Sequence, residues 1–536
     1  MPGHHAGEGA IDLGGPLVLD EIERVAHGAA VTVNPAARER MAAAGAALSG
    51  HVEERRRIYG VTTGYGPLAE HHVLPECAEA LQRGLIYHLA SGVGAPLPSD
   101  QVRALMAVRA ANLAQGYSGI GASSFALLLD MLNRDVVPVV PEMGTVGASG
   151  DLTPLAHVAL VMIGEGEAFV AGRRVAGAEA LAHAGLIPAQ LGHKEGLALV
   201  NGTSAMTGIA ALNGSRCGRL LDLALQMAVC NAELFHGYSE AFDPRFGMVR
   251  PHPGQRWAHA ELARLCRSSS RLQAPQQPPP VLEKVDAQSG VLHNRPLLQD
   301  PYTIRCLPQL FGAAKDQLDH HNGIVETELV SATDNPLIFA ADGHVLHGGN
   351  FFGQHVAYAS DSLALAVTGI AVHAERCLAR LTDPRRNGGR PAFLTGGTVG
   401  LDSGLMGAQV TATALVAEMR SLAVPASIQS ISTNAENQDV VTMGTIAARR
   451  TARLVELAAY VLAIQAIALA QAMEMTEGSI KAFAVSSREL LARVRQTVLP
   501  LDRDRPLSPD IAALASLFLS TRWRPTLPQH DMPGEI

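Results

Sequence analysis

From Leu457 to Ala472 the chain is almost continuously apolar, and that run limits what it can fold into. It is interrupted by Gln465, bounded by Glu456 and Glu474, and shorter than the roughly 20 apolar residues a bilayer span needs. Burial inside a helical bundle satisfies it instead. The same helical spacing of apolar residues recurs from about 205 to 270 and from about 310 to 480, over segments longer than most globular helices. Long helices packed side by side bury such faces, so the expected fold is all-α, built on a long-helix bundle. Hydrophobic residues make up 47% of the chain and aromatics only 4%, so aliphatic helix formers carry the apolar content.

Residues 100–135 read as two helices separated by the turn GYSGIGASS, and VVPVVP then ends the helical pattern. An extended loop should follow, GTVGASGDLTP, where Gly144, Gly147 and Gly150 give the backbone freedom just before a helix starting near Pro154. The segment QAPQQPPPVLEKVDAQSG, 273–290, cannot continue a helix and is expected on the surface. Near the end, DIAALASLFL is a short helical pattern, followed by a polar tail containing prolines. At 536 residues the chain exceeds what one core usually organises. Three regions are expected: 1–210 with the glycine-rich loop, 211–480 with the central long helices, and 481–536 with a helical segment and tail.

With 42 Lys and Arg against 50 Asp and Glu, and no basic run, nucleic acid is not an expected partner. The six cysteines lack CxxC spacing, which suggests neither a metal site nor a disulfide framework; they read as reduced, mostly core thiols. The start, MPGHHAGEGAIDLGG, lacks the basic and apolar stretches of an export signal, so a cytoplasmic protein without membrane attachment is expected.

The chemistry centres on Ala148-Ser149-Gly150. Small residues here let the Gly150 nitrogen approach the Ala148 carbonyl carbon. Cyclisation with loss of two waters would give 4-methylidene-imidazol-5-one, whose exposed methylene, made from the Ser149 side chain, accepts nucleophiles. Alone, the tripeptide would read as an ordinary flexible loop. It is not alone. Around it stands GTVGASGDLTPLAH, and in order along the chain come YGVTTGYGPLA at 59–69, LIYHLASGVG at 85–94, LVNGTSAMTG at 199–208 and QDPYTIRCLPQ at 299–309. ETELVSATDNP at 326–336, HGGNFFGQH at 347–355, GAQVTATALVAEMR at 407–420 and STNAENQDVVTMGT at 432–445 follow. This collinear set, spanning roughly residues 20 to 520, resembles the aromatic amino acid ammonia-lyase and aminomutase family.

The resemblance implies a bundle of the histidine, phenylalanine and tyrosine ammonia-lyase type and the self-made prosthetic group, with no metal and no dissociable cofactor. It also implies a homotetramer whose active sites draw on three subunits. Residue by residue, it makes Tyr59 the base that takes the β-proton, on a lid that includes Gly66. It makes Arg305 the substrate-carboxylate anchor, a role that suits a planar two-donor guanidinium. Tyr302, one helical turn earlier, is the second active-site tyrosine. Asn201 and Gln299 match residues that hydrogen-bond around the electrophile, Asn335 one near the substrate carboxylate, and Phe351 an aromatic beside the prosthetic ring. Glu418, on a helix expected over 404–420, matches an acidic position of the family; a paired structural charge, with Arg420 or a neighbouring helix, is its other reading.

For the substrate, His88-Leu89 is the most informative pair. Family members resembling tyrosine ammonia-lyases carry His-Leu here, those directed to phenylalanine Phe-Leu and those directed to histidine Ser-His. An imidazole can bond a phenol hydroxyl and disfavours a substrate that lacks one. A core histidine bonded to a backbone carbonyl is the alternative. Asn434, Asn437 and Gln438 resemble the tyrosine and phenylalanine enzymes, with Asn434 and Gln438 expected at the ring end; Leu152 is a further candidate for the pocket lining. The implied reaction is deamination of L-tyrosine to p-coumarate and ammonia, with weaker action on L-phenylalanine. A tyrosine 2,3-aminomutase, a histidine ammonia-lyase and a catalytically dead assembly protein remain as alternatives.

Overall fold

The computed structural model describes residues 9–275, 277–279 and 298–523. Much of the Pro- and Gln-rich segment expected on the surface, and the polar tail from 524, lie outside them. The architecture is helical, as the spacing predicts. Helices cover Ser204–Leu234, Leu307–Leu329, Gln354–Thr382, Met406–Leu422 and Gly444–Glu474. The nine strands among the described residues are two to four residues long and serve as clips between helices.

The chain divides into two compact units, each assembled from three stretches of sequence. The first takes Met1–Ser215, His320–Ser362 and Val424–Ala452. At its heart lies the helix Ser99–Ala114, buried on every side from Gln101 to Ala114. Such a helix needs no amphipathic stripe, but its polar residues must find partners inside. Arg103 reaches the carbonyls of Val25 and Leu132 and Asp135 Oδ1, and Asn112 donates to the carbonyls of Glu328 and Leu329. The second expected helix of this region spans Ala122–Asn133. After it come Val137–Pro138, paired with Glu167–Val170, and Pro141–Met143, paired antiparallel with Val93–Pro96. These ladders deliver the chain to the glycine-rich loop, and the helix Leu152–Met162 leaves it.

The second unit takes Arg216–Asp319, Leu363–Ala423 and Arg453–Ile536. Its core is lined by aliphatic faces of the long helices with Phe311, Phe483, Phe518 and Trp523. The apolar run that opened the reading is buried here, from Leu457 through Ala472, apart from the half-buried Tyr460. Gln354–Thr382 and Gly444–Glu474 have the length and composition of membrane spans, but most of their apolar residues are already covered within the protein. Each such leucine or isoleucine contributes roughly 1.5–3 kcal/mol by leaving water. None of the six cysteines is in a disulfide; burial pushes the thiols of Cys217, Cys266 and Cys377 up to about 12, while Cys77 is exposed.

Candidate active site

The glycine-rich loop belongs to the first unit. Ser149 sits at φ 54°, a left-handed conformation that costs an L-residue with a side chain about 1–2 kcal/mol, and Gly150 follows at φ 74°. The Gly150 N–H turns back to the Gly147 carbonyl at 3.3 Å. A second segment holds this fold: Gly202 N–H donates to the Ser149 carbonyl at 3.3 Å, and Asp151 N–H to the Gly202 carbonyl at 2.7 Å. The approach leaves no room for side chains. A Cβ on Gly150 would stand 2.1 Å from the Gly202 oxygen, and one on Gly202 2.3 Å from the Thr333 oxygen. Ala148 packs on Ala426, Val441, Met443 and Ala447. A loop folded back on itself, with a glycine where the ring nitrogen must lie, fits a cyclised Ala-Ser-Gly.

Asp151, at the foot of the loop, is fully buried; it accepts from Met206 N–H at 2.8 Å and from the Thr445 hydroxyl. Burial pushes its carboxyl up to about 6, against the pull of those hydrogen bonds. Asn201, which caps the C-terminal end of the short helix Glu195–Val200, donates from Nδ2 to Asp334 Oδ1 at 2.9 Å and to the Asn335 carbonyl at 3.3 Å. Asp334 also takes the Lys194 ammonium on Oδ2 at 2.5 Å, with both side chains buried. Burial pulls Lys194 below the usual lysine range, and Asp334 opposes it. Arg109 spans to the Ala198 carbonyl and leaves Nη1 buried without an acceptor among the described residues. Burial lowers it to about 10, opposed by Asp334 and Asp151.

Asn335 leads on to Tyr59. Its Oδ1 accepts from Gly348 N–H at 2.7 Å, and the preceding His347 accepts from Tyr59 N–H at 3.2 Å through Nε2. The Tyr59 phenol oxygen accepts from Gly66 N–H at 2.8 Å. Gly66 in turn lies against Asn434, whose Nδ2 would stand 2.7 Å from a Cβ there. The Tyr59 ring meets Tyr65 edge-on at 6.4 Å, and Tyr65 stands 6.5 Å from the His88 ring. His88, exposed near the end of the helix Ala78–Leu89, bonds the Gly84 carbonyl through Nδ1 at 3.0 Å. Because a carbonyl only accepts, Nδ1 carries the proton, and Nε2 is left as the ring nitrogen that can accept. So the carbonyl bond weighed from sequence exists, on an exposed ring rather than a core one.

Asn434 lies in a tight turn with Ala435 and Glu436, all at positive φ, and Thr433 and Gln438 bridge its base. Asn437 is exposed on the same turn. Leu89, Leu152 and Phe351 are half-buried in this unit. The contacts therefore bring Tyr59, Gly66, His88, Asn434, Asn335, Asn201 and the Ala148-Ser149-Gly150 loop into one connected set.

The remaining residues belong to the second unit. Arg305 stacks over the ring of Tyr302, one turn earlier on the helix Tyr302–Arg305, at 4.7 Å, and Nη1 bonds Gln299 Oε1. Its Nε is buried without an acceptor among the described residues, and the Tyr302 ring is exposed. Glu418, on the helix Met406–Leu422, lies 3.6 Å from Arg453; the pairing partner is a neighbouring helix and not Arg420. Lys194, Asp334, Arg109, Asp151 and His347 were not singled out from sequence. Asp151, Asp334 and His347 stand inside the quoted blocks, and Lys194 seven residues before Asn201, but adjacency alone did not assign them.

Comparison with known proteins decides the family. The family model described as aromatic amino acid lyase matches residues 17–496. The chain belongs to the aromatic amino acid lyase family. It is thus a carbon–nitrogen lyase. A tyrosine ammonia-lyase of Cereibacter sphaeroides is 46% identical over 95% of this chain and 97% of its own. A histidine ammonia-lyase of Symbiobacterium thermophilum is 43% identical over 95% and 96%. Among solved structures of the family, the tyrosine aminomutase from Streptomyces globisporus superimposes with a TM-score of 0.88 at 34% identity, covering 95% of this chain and 97% of that one. The all-α expectation is borne out by that likeness.

Proposed function

We propose that this lyase removes ammonia from L-tyrosine to give p-coumarate, with weaker action on L-phenylalanine. The observation that carries the substrate is His88: its Nδ1–H is committed to Gly84, so Nε2 is an acceptor for a phenol hydroxyl. Its ring connects through Tyr65 to Tyr59, so acceptor and base lie along one aromatic row.

The reaction must take a weakly acidic β-proton and expel a poor leaving group. When formed from Ala148-Ser149-Gly150, 4-methylidene-imidazol-5-one supplies an electrophilic methylene that makes the amine a better leaving group. Gly202, whose N–H reaches the Ser149 carbonyl, and the apolar cluster on which Ala148 packs would hold that group. Tyr59 acts as the base for the β-proton, its side-chain oxygen positioned by the Gly66 N–H. Arg305 meets the substrate carboxylate with donors that include its Nε, which has no acceptor among the described residues, beside Tyr302 and Gln299. Asn335 assists at the carboxylate, Asn434 and Gln438 stand at the ring end with Leu89 and Leu152, and Phe351 lies beside the prosthetic ring. The working form is a homotetramer, which gives exposed groups such as Tyr302 and Glu418 a site on another subunit to complete.

Tyrosine, phenylalanine and histidine offered in parallel, with products separated by chromatography, test the assignment. Accumulating p-coumarate with equimolar ammonia is expected. β-Tyrosine as the main product would make the protein an aminomutase, and urocanate from histidine in preference to any tyrosine reaction would make it a histidine ammonia-lyase.

A further inference from the structure

Two opposite charges, Lys194 and Asp334, are sealed from water next to Asn201. Removing ions from water costs several kcal/mol each, and such a pair is weak ground for stability alone. Its geometry points elsewhere. Both hydrogens of Asn201 Nδ2 are taken, one by Asp334 Oδ1 and one by the Asn335 carbonyl, and neither oxygen can donate. The amide therefore cannot flip, and Oδ1 is kept as an acceptor. Lys194 donates to the other carboxylate oxygen, so Asp334 is held through both oxygens and cannot turn away from Asn201. Asp334 Oδ1 also accepts from Asn335 N–H at 2.7 Å, so the same carboxylate orders the next residue. The pair further ties down both ends of one short helix. Lys194 precedes Glu195–Val200 at φ 66° and Asn201 ends it, immediately before the Gly202 N–H that reaches the Ser149 carbonyl.

We infer that the Lys194–Asp334 ion pair is a positioning device for Asn201, holding its amide oxygen as the acceptor for a substrate N–H, so that both charges act on turnover through Asn201 without touching substrate. This inference rests on the lyase reading above.

The test is a double-mutant cycle on the full enzyme: wild type, Asp334→Asn, Asn201→Ala and the double variant. Each is measured for thermal unfolding, intact mass, and kcat and KM with tyrosine. Asp334→Asn frees the amide to turn, and a loss of about 10²-fold in kcat, with a smaller change in KM, is expected. In the Asn201→Ala background the same substitution should cost less than about threefold, because residues acting as one unit are not additive. Independent, multiplying losses would overturn the inference, as would an Asp334→Asn enzyme with wild-type kcat. If Asp334→Asn does not fold, Lys194→Met combined with Asp334→Asn removes both charges and carries the same cycle. A wild type that releases no arylacrylate from tyrosine would instead defeat the functional reading.

Discussion

Replacing His88 with phenylalanine removes one hydrogen-bond acceptor and puts apolar surface in its place. The size of the effect depends on whether the acceptor can reach water. A sealed acceptor, left unpaired by phenylalanine, would discriminate by about 10⁴–10⁵. The His88 side chain is exposed, with Nδ1 already satisfied by Gly84, so water can pair Nε2 when the substrate lacks a hydroxyl. The difference then shrinks to the net worth of one neutral hydrogen bond, about 0.5–1.5 kcal/mol. At about 1.4 kcal/mol per factor of ten, the ratio of kcat/KM for tyrosine over phenylalanine should fall roughly two- to twelvefold. The assay is initial-rate formation of p-coumarate and cinnamate by wild type and His88→Phe at equal enzyme concentration. An unchanged ratio, or one that rises, would remove His88 from substrate choice. A fall of 10⁴ would refute the reasoning from exposure.

Intact mass gives a second test: wild type should weigh two waters less than its sequence, and Ser149→Ala should weigh its full sequence mass and lose turnover. Gly202→Ala should lower the midpoint in scanning calorimetry, because its Cβ would stand 2.3 Å from the Thr333 oxygen and 2.5 Å from Arg109 Nη1 at φ 143°. A cost of about 1–3 kcal/mol is expected, with partial loss of the two-water deficit. Asp151 should make stability depend on pH. Its folded pKa is raised to about 6, so its contribution is full below the unfolded value near 3.8 and is lost as pH rises through 6. Denaturant unfolding of wild type against Asp151→Asn should show wild type losing, relative to the variant, on the order of 3 kcal/mol between pH 4 and 7. A flat difference across that range would contradict it.

Much of this was legible in the sequence because periodicity and local spacing carry it. The helix around Leu457 to Ala472, the pair at Ser99–Ala114 and Ala122–Asn133, and the Tyr302–Arg305 stack all follow from residues three to seven apart. The buried charges were not legible for the opposite reason. Lys194 meets Asp334 across 140 positions, and Asp151 meets Thr445 across 294. A lysine or aspartate in a string of letters reads as solvated until the fold shows what faces it. The interleaving of the two units belongs to the same class, since each gathers three stretches that no linear boundary separates. His88 falls between: its position marked it, while the proton on Nδ1 needed the helix that sets Gly84 four residues behind it.

The close pairing of Gly150 with Gly202 has a consequence for anyone wishing to move this chemistry elsewhere. Gly150 has no room for a side chain because Gly202 is there, so the Ala-Ser-Gly loop is half of a two-part mould. Grafted alone onto a foreign scaffold, the tripeptide would relax out of its left-handed turn and stay an ordinary peptide. A transplant would have to carry the Asn201–Gly202 segment in register with it, which makes the pair, and not the tripeptide, the smallest portable element.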